Sequence, residues 1–262
     1  MILKAIWRYR GFIWGLAARD FQSRYLNSIL GSLWAILNPL AIIVVYTIIF
    51  SQVMRAKLPE IDNSLAYSIY MCAGLLPWNY FIETLQRFQN VFLEQGNLLK
   101  KVSFPRTSLP IYVVISSTIN FSIIFGLFIV FLLITGQFPG WYFLGVFPLL
   151  LLQQMFAVGI GMFLGTINVF FRDIGHAFGV FLQFWFWLTP IVYPIKAVPE
   201  KFKSIFELNI MYPIVKSFQT IFVYQKWPQW NELFIPFLGA LIMMLLGYVT
   251  FKKLEKEMVD EI

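Results

Sequence analysis

Six uninterrupted apolar runs constrain this chain more than anything else in it. Positions 29–50, 65–81, 109–134, 141–170, 177–192 and 233–251 contain no Asp, Glu, Lys or Arg. A helix of about 20 apolar residues crosses the hydrocarbon core of a bilayer, so the pattern predicts an all-α polytopic membrane protein with six transmembrane helices. Charged residues make up only 13% of the 262 positions, against about a quarter in a soluble domain. That is too little polar surface to cover a globule, which excludes a soluble enzyme, a disordered scaffold and a secreted disulfide domain. Cys72 and His176 are the only residues of their kinds, which excludes an intrachain disulfide and a clustered Cys/His metal site. The net charge of +7 is accounted for by cytoplasmic loops, which collect Lys and Arg, rather than by nucleic acid.

The remaining segments set the organisation of one transmembrane domain over 1–262. Positions 1–25 carry Lys4, Arg8, Arg10, Arg19 and Arg24 without the compact apolar core of a cleavable signal. At 100° per residue Ile2, Ile6, Tyr9, Ile13 and Leu16 share one side, and Lys4, Arg8 and Arg19 the other, with Arg10 among the apolar positions. This predicts a helix lying in the cytoplasmic headgroup layer, with Trp7 and Trp14 at the interface. Spans one to five occupy 29–192. Gly74 and Pro77 predict a kink or broken end in the second, and Pro190 and Pro194 a sharp stop to the fifth. The fourth exceeds what a bilayer requires, which implies tilt or a cytoplasmic extension.

An N-inside arrangement places thirteen of the twenty Lys and Arg in the cytoplasm, so both termini are expected there. Five of the remaining seven fall in 195–232, an external segment whose apolar stretches are too short to span and read as interfacial or re-entrant helices. Trp227 and Trp230 mark the outer interface before span six at 233–251 and the tail at 252–262.

Within the spans the polar groups are neutral: Asn120, Gln153, Gln154, Asn168 and Gln183, which interhelical hydrogen bonding explains. Gly161-x-x-x-Gly165 and Gly175-x-x-x-Gly179 permit close helix approach. Aromatic residues are 19% of the chain. Trp34, Tyr46 and Phe50 on span one, with Phe178, Phe181 and Trp185 on one face of span five, are candidates to line a conduit, although lipid or core packing explains the same pattern. No Gly-x-x-x-x-Gly-Lys-Ser/Thr loop occurs, so any ATP is bound elsewhere. Between spans two and three, Leu99, Lys100, Lys101, Phe104, Pro105 and Arg106 mix apolar and basic groups. They predict a short helix docking on a partner, with Pro105 as its stop. Arg172 and Asp173 offer a second small cytoplasmic contact.

Taken together, Arg19-Asp20-Phe21-x-x-Arg24-Tyr25, Leu30-Gly31-x-x-Trp34, Asn38-Pro39, Lys100-Lys101-Val102-x-Phe104-Pro105-Arg106, Asn168-Val169-Phe170-Phe171-Arg172-Asp173-Ile174 and Thr189-Pro190-Ile191-Val192-Tyr193 resemble ABC-2-type permeases that export polysaccharides. The nearest branch is the O-antigen exporters, with teichoic-acid and capsule exporters next. The resemblance implies a homodimer of six-span subunits in the bacterial inner membrane, paired with two ATPase subunits that carry the ATP and magnesium, so that this chain holds no cofactor. It implies as cargo a polysaccharide on undecaprenyl diphosphate. It also implies that the N-terminal helix guards the entrance, that 97–106 transmits ATPase movement, that the external helices cap the exit, and that spans one and five line the path. Arg8, Arg19, Arg24 and Tyr25 are then the residues that meet the lipid diphosphate at the gate.

Two alternatives compete with this reading. One is a permease of the same fold for a drug or other small lipid. The other is a membrane-embedded acyl- or glycosyltransferase, which requires a positioned base or paired carboxylates. No acidic pair is expected near a membrane face outside the terminal tail.

Overall fold

The computed structural model describes residues 9–25, 31–49, 65–101 and 104–261, with positions 24, 25, 32, 35, 38, 42, 46, 101 and 259 described by backbone alone. Among the described residues all regular structure is helical. The helices are α1 (Arg10–Tyr25), α2 (Trp34–Ile48), α3 (Ala66–Glu94), α4 (Gly96–Lys101), α5 (Ser108–Ile134), α6 (Val146–Phe170), α7 (Asp173–Trp187), α8 (Glu200–Glu207), α9 (Met211–Tyr224), α10 (Phe234–Leu254) and α11 (Met258–Glu261).

Three stretches of the described residues are long and apolar enough to cross a membrane: Ser108–Ile134, Gly140–Phe170 and Trp230–Leu254. The last two open with 3₁₀ turns, at Gly140–Gly145 and Trp230–Leu233. Over an 18-residue apolar stretch of each, 56% of the residues are buried in Gly140–Phe170, against 28% and 22% in the other two. α6 is therefore the central helix, and α5 and α10 turn most of their apolar surface outward, as helices bordering lipid do. α6 packs most heavily on α10 and then on α3. A Cβ on Gly159 would fall under 3.0 Å from the backbone of Met243 and Met244, and one on Gly247 equally close to the Gly159 carbonyl. Paired glycines thus bring the two backbones into contact. Gly161 and Gly165 do the same against Phe88 of α3, as their spacing predicts, whereas Gly179 faces open space.

α3 differs from its expected outline. It runs unbroken through Gly74 and Pro77 and on to Glu94, 29 residues in all, or about 43 Å at 1.5 Å per residue. Neighbours pack closely at both positions. A Cβ on Gly74 would meet Gln219 Nε2 at 3.0 Å and Ile191 Cγ2 at 3.2 Å, and Gln153 donates to the Pro77 carbonyl at 2.6 Å. The fifth apolar run also shifts. α7 starts at Asp173 and stops at Trp187, ahead of Thr189-Pro190, so proline does end it.

The core divides along the bundle axis into two clusters. One gathers Trp78, Phe81, Phe128, Phe156, Phe218 and Phe222 around the first half of α3 and the buried side of α9. The other gathers Ile13, Leu16, Phe88, Phe92, Leu109, Val113 and Phe251 around the last half of α3, with α1 laid over it. α9 and α1 therefore mark opposite ends. α8 and α9, at 8 and 14 residues, are both shorter than a span needs. α9 ends where Gln225 adopts a left-handed backbone at φ 50°.

Candidate gate and coupling site

α1 presents Ile13, Leu16 and Ala17 to the second cluster and leaves Trp14 and Arg19 exposed, in line with its predicted sidedness. Arg10 is exposed as well, despite its apolar register. What holds the helix down, besides apolar packing, is a polar node. Arg87 on α3 donates from Nη1 to Asp20 Oδ2 on α1 at 2.9 Å and from Nε to Glu83 Oε1 at 2.9 Å. Ser116 Oγ on α5 accepts from Arg87 Nη1 at 3.1 Å and donates to the same Asp20 oxygen at 2.6 Å. Asn120 Nδ2, one turn further along α5, donates to Glu83 Oε2 at 2.6 Å. Arg87 Nη2 is buried without a hydrogen-bond partner among the described residues.

One guanidinium thus bridges two carboxylates from two helices, and a third helix supplies the remaining hydrogen bonds. This is an acidic pair where none was expected, but its geometry is that of a clamp. Both carboxylates accept from Arg87 and from a neutral donor, which suits them to hold α1 in place rather than to take a proton from a substrate. A groove of about 350 Å³ lies beside the node, walled by Gln86, Asn90, Glu94 and Tyr112. Asp20 and Arg87 escape the sequence reading because they are 67 positions apart. The only local signal is Glu83-x-x-x-Arg87, an i,i+4 pair on one helix face.

The expected coupling residues lie at this same end. α4 follows α3 after one residue, Gln95, whose carbonyl accepts from the N–H groups of Leu98 and Leu99 at 3.0 Å. Leu98, Leu99 and Phe104 pack against the second cluster, while Lys100 is exposed. Phe104 lies against Phe12 of α1, with ring centroids 5.0 Å apart and planes tilted by 46°. The segment expected to meet a partner is therefore in direct contact with the helix expected to gate the entrance, and Phe12 is a residue that spacing alone did not single out. Pro105, expected to stop α4, lies at the entry turn of α5: its carbonyl accepts from Ser108 N–H at 2.8 Å, and that of half-buried Arg106 accepts from Leu109 N–H at 3.2 Å. Met258 of α11 is buried in the same cluster. Arg172 and Asp173 are both exposed at the start of α7, where an acidic side chain complements the helix dipole.

The aromatic candidates divide. Phe178 and Phe181 stack with centroids 5.6 Å apart, and Phe181 meets Trp185 at 5.3 Å, so the three do share a face. Trp185, however, is half-buried against Trp78, Phe81 and Phe156, and its Nε1 donates to Asn209 Oδ1 at 2.8 Å. It ties α7 to the loop before α9. Phe181 and Trp34 of α2 are about half exposed, and Phe184 and Trp187 more so. The neutral amides join helices as expected, with Asn168 donating to the Gln89 carbonyl at 3.0 Å and accepting from Gly175 N–H at 3.0 Å. Gln183 is exposed. Arg8 and Phe50 lie outside the described residues, and Arg24, Tyr25, Tyr46 and Lys101 are placed on their helices by backbone alone.

Comparison with known proteins gives the family. The family model described as ABC-2 type transporter matches residues 12–223. An O-antigen export system permease protein, RfbA, of Myxococcus xanthus is 31% identical over 264 residues, covering 100% of this chain and 99% of that protein. A Klebsiella pneumoniae protein of the same description is 29% identical over 238 residues, 90% and 89% of the two chains. The polysialic acid transport protein KpsM of Escherichia coli is 22% identical over 206 residues, 77% of each. A match over most of the chain, at one end of which α1, α3, α4 and α5 are bound together, identifies the protein as a member of the ABC-2 type transporter family.

Proposed function

We propose that this chain is the membrane permease subunit of an ABC exporter that moves polysaccharide linked to undecaprenyl diphosphate, of the O-antigen type, out of the cytoplasm. The observation that carries this reading is end-to-end similarity to an O-antigen export permease, 31% identical over the full length of both proteins. The weaker similarity to a polysialic acid transport protein favours a glycan over a drug. The chain is a transport subunit rather than an enzyme, and ATP and magnesium belong to a partner ATPase.

In this reading two copies assemble in the inner membrane with two ATPase subunits, each copy contributing six spans and keeping both termini in the cytoplasm. α1 lies at the inner headgroup level, and Arg19, with Arg8, Arg24 and Tyr25, meets the diphosphate through charge-assisted contacts. The ATPase engages α4 and residues 104–106, with Arg172 and Asp173 as a smaller contact. Movement of that segment passes to α1 through Phe104 and Phe12, whose ring contact supports the route. The exposed aromatic side chains Trp34 and Phe181, with Phe178, border the glycan path at the seam between copies, and α8 and α9 cap its outer end.

Deleting the gene tests the assignment. The expected result is lipid-linked glycan retained on the cytoplasmic face and inaccessible to an external glycosidase. Continued surface display of the glycan would overturn it. Arg24→Ala is expected to weaken export together with affinity for the lipid, and full export with unchanged affinity would remove α1 from the recognition step.

A further inference from the structure

At the end of the bundle away from α1, a cavity of about 320 Å³ lies between α9 and the turn Ile195–Ala197. Among the described residues, Lys196, Lys216 and Lys226 line it together with Tyr212 and Tyr224, and no carboxylate does. Buried Gln219 forms part of its wall, its amide occupied by the carbonyls of Pro190 and Ile191 at 3.4 and 3.3 Å. The lining is thus dominated by groups that donate hydrogen bonds. Lys196 has a partner of its own, and Glu232 pairs with Lys216 at 2.7 Å through both oxygens without lining the cavity, whereas Lys226 has no ion pair among the described residues.

Two features make this more than a solvated surface. The bias that draws Lys and Arg to the cytoplasm acts against lysines on the outer side, yet three of them converge here. Trp227 and Trp230, each 47% exposed, follow directly in sequence, and tryptophan settles at the depth of lipid headgroups. Lysine reaches such a depth by laying its stem along apolar surface and presenting its ammonium to phosphate.

We propose that this cavity binds the phosphate of a lipid headgroup in the outer leaflet, with the three lysines supplying charge and the tyrosine hydroxyls supplying hydrogen bonds. The site rests on the proposed orientation for its leaflet and on the reading of the chain as an exporter for the identity of its lipid. The diphosphate of the carrier, arriving with its glycan, and the phosphate of an anionic phospholipid share the required chemistry. As the outer counterpart of the arginines on α1, it gives the carrier a second place to rest after crossing.

The test uses the permease–ATPase complex in phosphatidylcholine nanodiscs, doped with undecaprenyl diphosphate or with phosphatidylglycerol, and a photoreactive group beside the cavity through Trp227→p-benzoylphenylalanine. Light is expected to attach a doped lipid to the chain. Adding Lys196→Gln and Lys226→Gln is expected to cut the adduct about tenfold, as loss of charge-assisted contacts to phosphate implies. Adding Lys201→Gln and Lys203→Gln on α8, an equal change in charge, is expected to leave it intact. An adduct with undecaprenyl diphosphate alone identifies the carrier as the ligand, and one with both lipids identifies a general anionic headgroup; either upholds the site. No adduct beyond that with phosphatidylcholine, undiminished adduct in the cavity variant, or equal loss in the α8 variant would overturn it. The assay needs neither ATP nor export, so failure of the export assignment would leave its outcome standing.

Discussion

Arg87→Gln removes the cation that joins α1 to α3. The guanidinium makes two ion pairs of 2.9 Å, and side-chain exposures are 13% for Arg87, 23% for Asp20 and 22% for Glu83. Removing one partner of a buried pair costs about 3–5 kcal/mol, whereas exposed pairs contribute about 0–1. The node falls between these limits because each carboxylate keeps a neutral donor, Ser116 or Asn120. We therefore expect Arg87→Gln to destabilise by about 2–3 kcal/mol, and Asp20→Asn, which keeps a polar group in place, by about 1–2. Measured by denaturant titration of the permease in bicelles, the double variant is expected to lose about 1–2 kcal/mol less than the sum of the singles. Trypsin cleavage after Arg19 is expected to accelerate in each single variant as α1 loosens. A coupling energy below about 0.5 kcal/mol, the level at which independent sites add, would refute the claim that this node clamps α1.

Three further outcomes follow from other contacts. Phe104→Asp is expected to separate ATP hydrolysis from transport, because a carboxylate placed against Phe12 and the surrounding apolar cluster disrupts that packing; coupled turnover at the normal ratio would reject the route through α1. Gly159→Leu is expected to cost about 1–3 kcal/mol or prevent folding, since it forces apart touching backbones, whereas Gly179→Ala, with nothing within 4 Å, is expected to be neutral or stabilising by up to about 1 kcal/mol; denaturant titration of both checks the contrast. Cys72, the only thiol and 2% exposed, is expected to react with maleimide only after denaturation, and labelling of the folded protein would contradict its burial between helices.

How much of this was legible beforehand depended on whether a feature was local. Apolar runs announced α5, α6 and α10; Pro190 and Pro194 announced the end of α7; and neutral amides such as Asn168 announced bonds between helices. Each of these is a property of one segment. The node was hidden because Asp20 reaches Arg87 only once α1 has packed across α3 and α5, and because Arg87 read as one more basic residue in a cytoplasmic loop until α3 proved to continue to Glu94. The pairing of Gly159 with Gly247 was hidden for the same reason, while Gly161 and Gly165 were visible through their spacing. Among the aromatic residues, periodicity placed Phe178, Phe181 and Trp185 on one face but could not tell that Trp185 turns toward Phe81 and Phe156. The Lys and Tyr side chains around the outer cavity come from both sides of α8, and only the fold brings them together.

Reconstitution separates a pathway driven by a motor from one that works alone. Proteoliposomes containing this chain, its ATPase partner and fluorescently labelled lipid-linked glycan in one leaflet should move the label to the opposite leaflet when ATP is supplied, and should hold it in place without nucleotide or without the ATPase. Equal movement of the label by this chain alone, with neither ATP nor partner, would contradict the claim that it is a passive pathway driven by a separate motor.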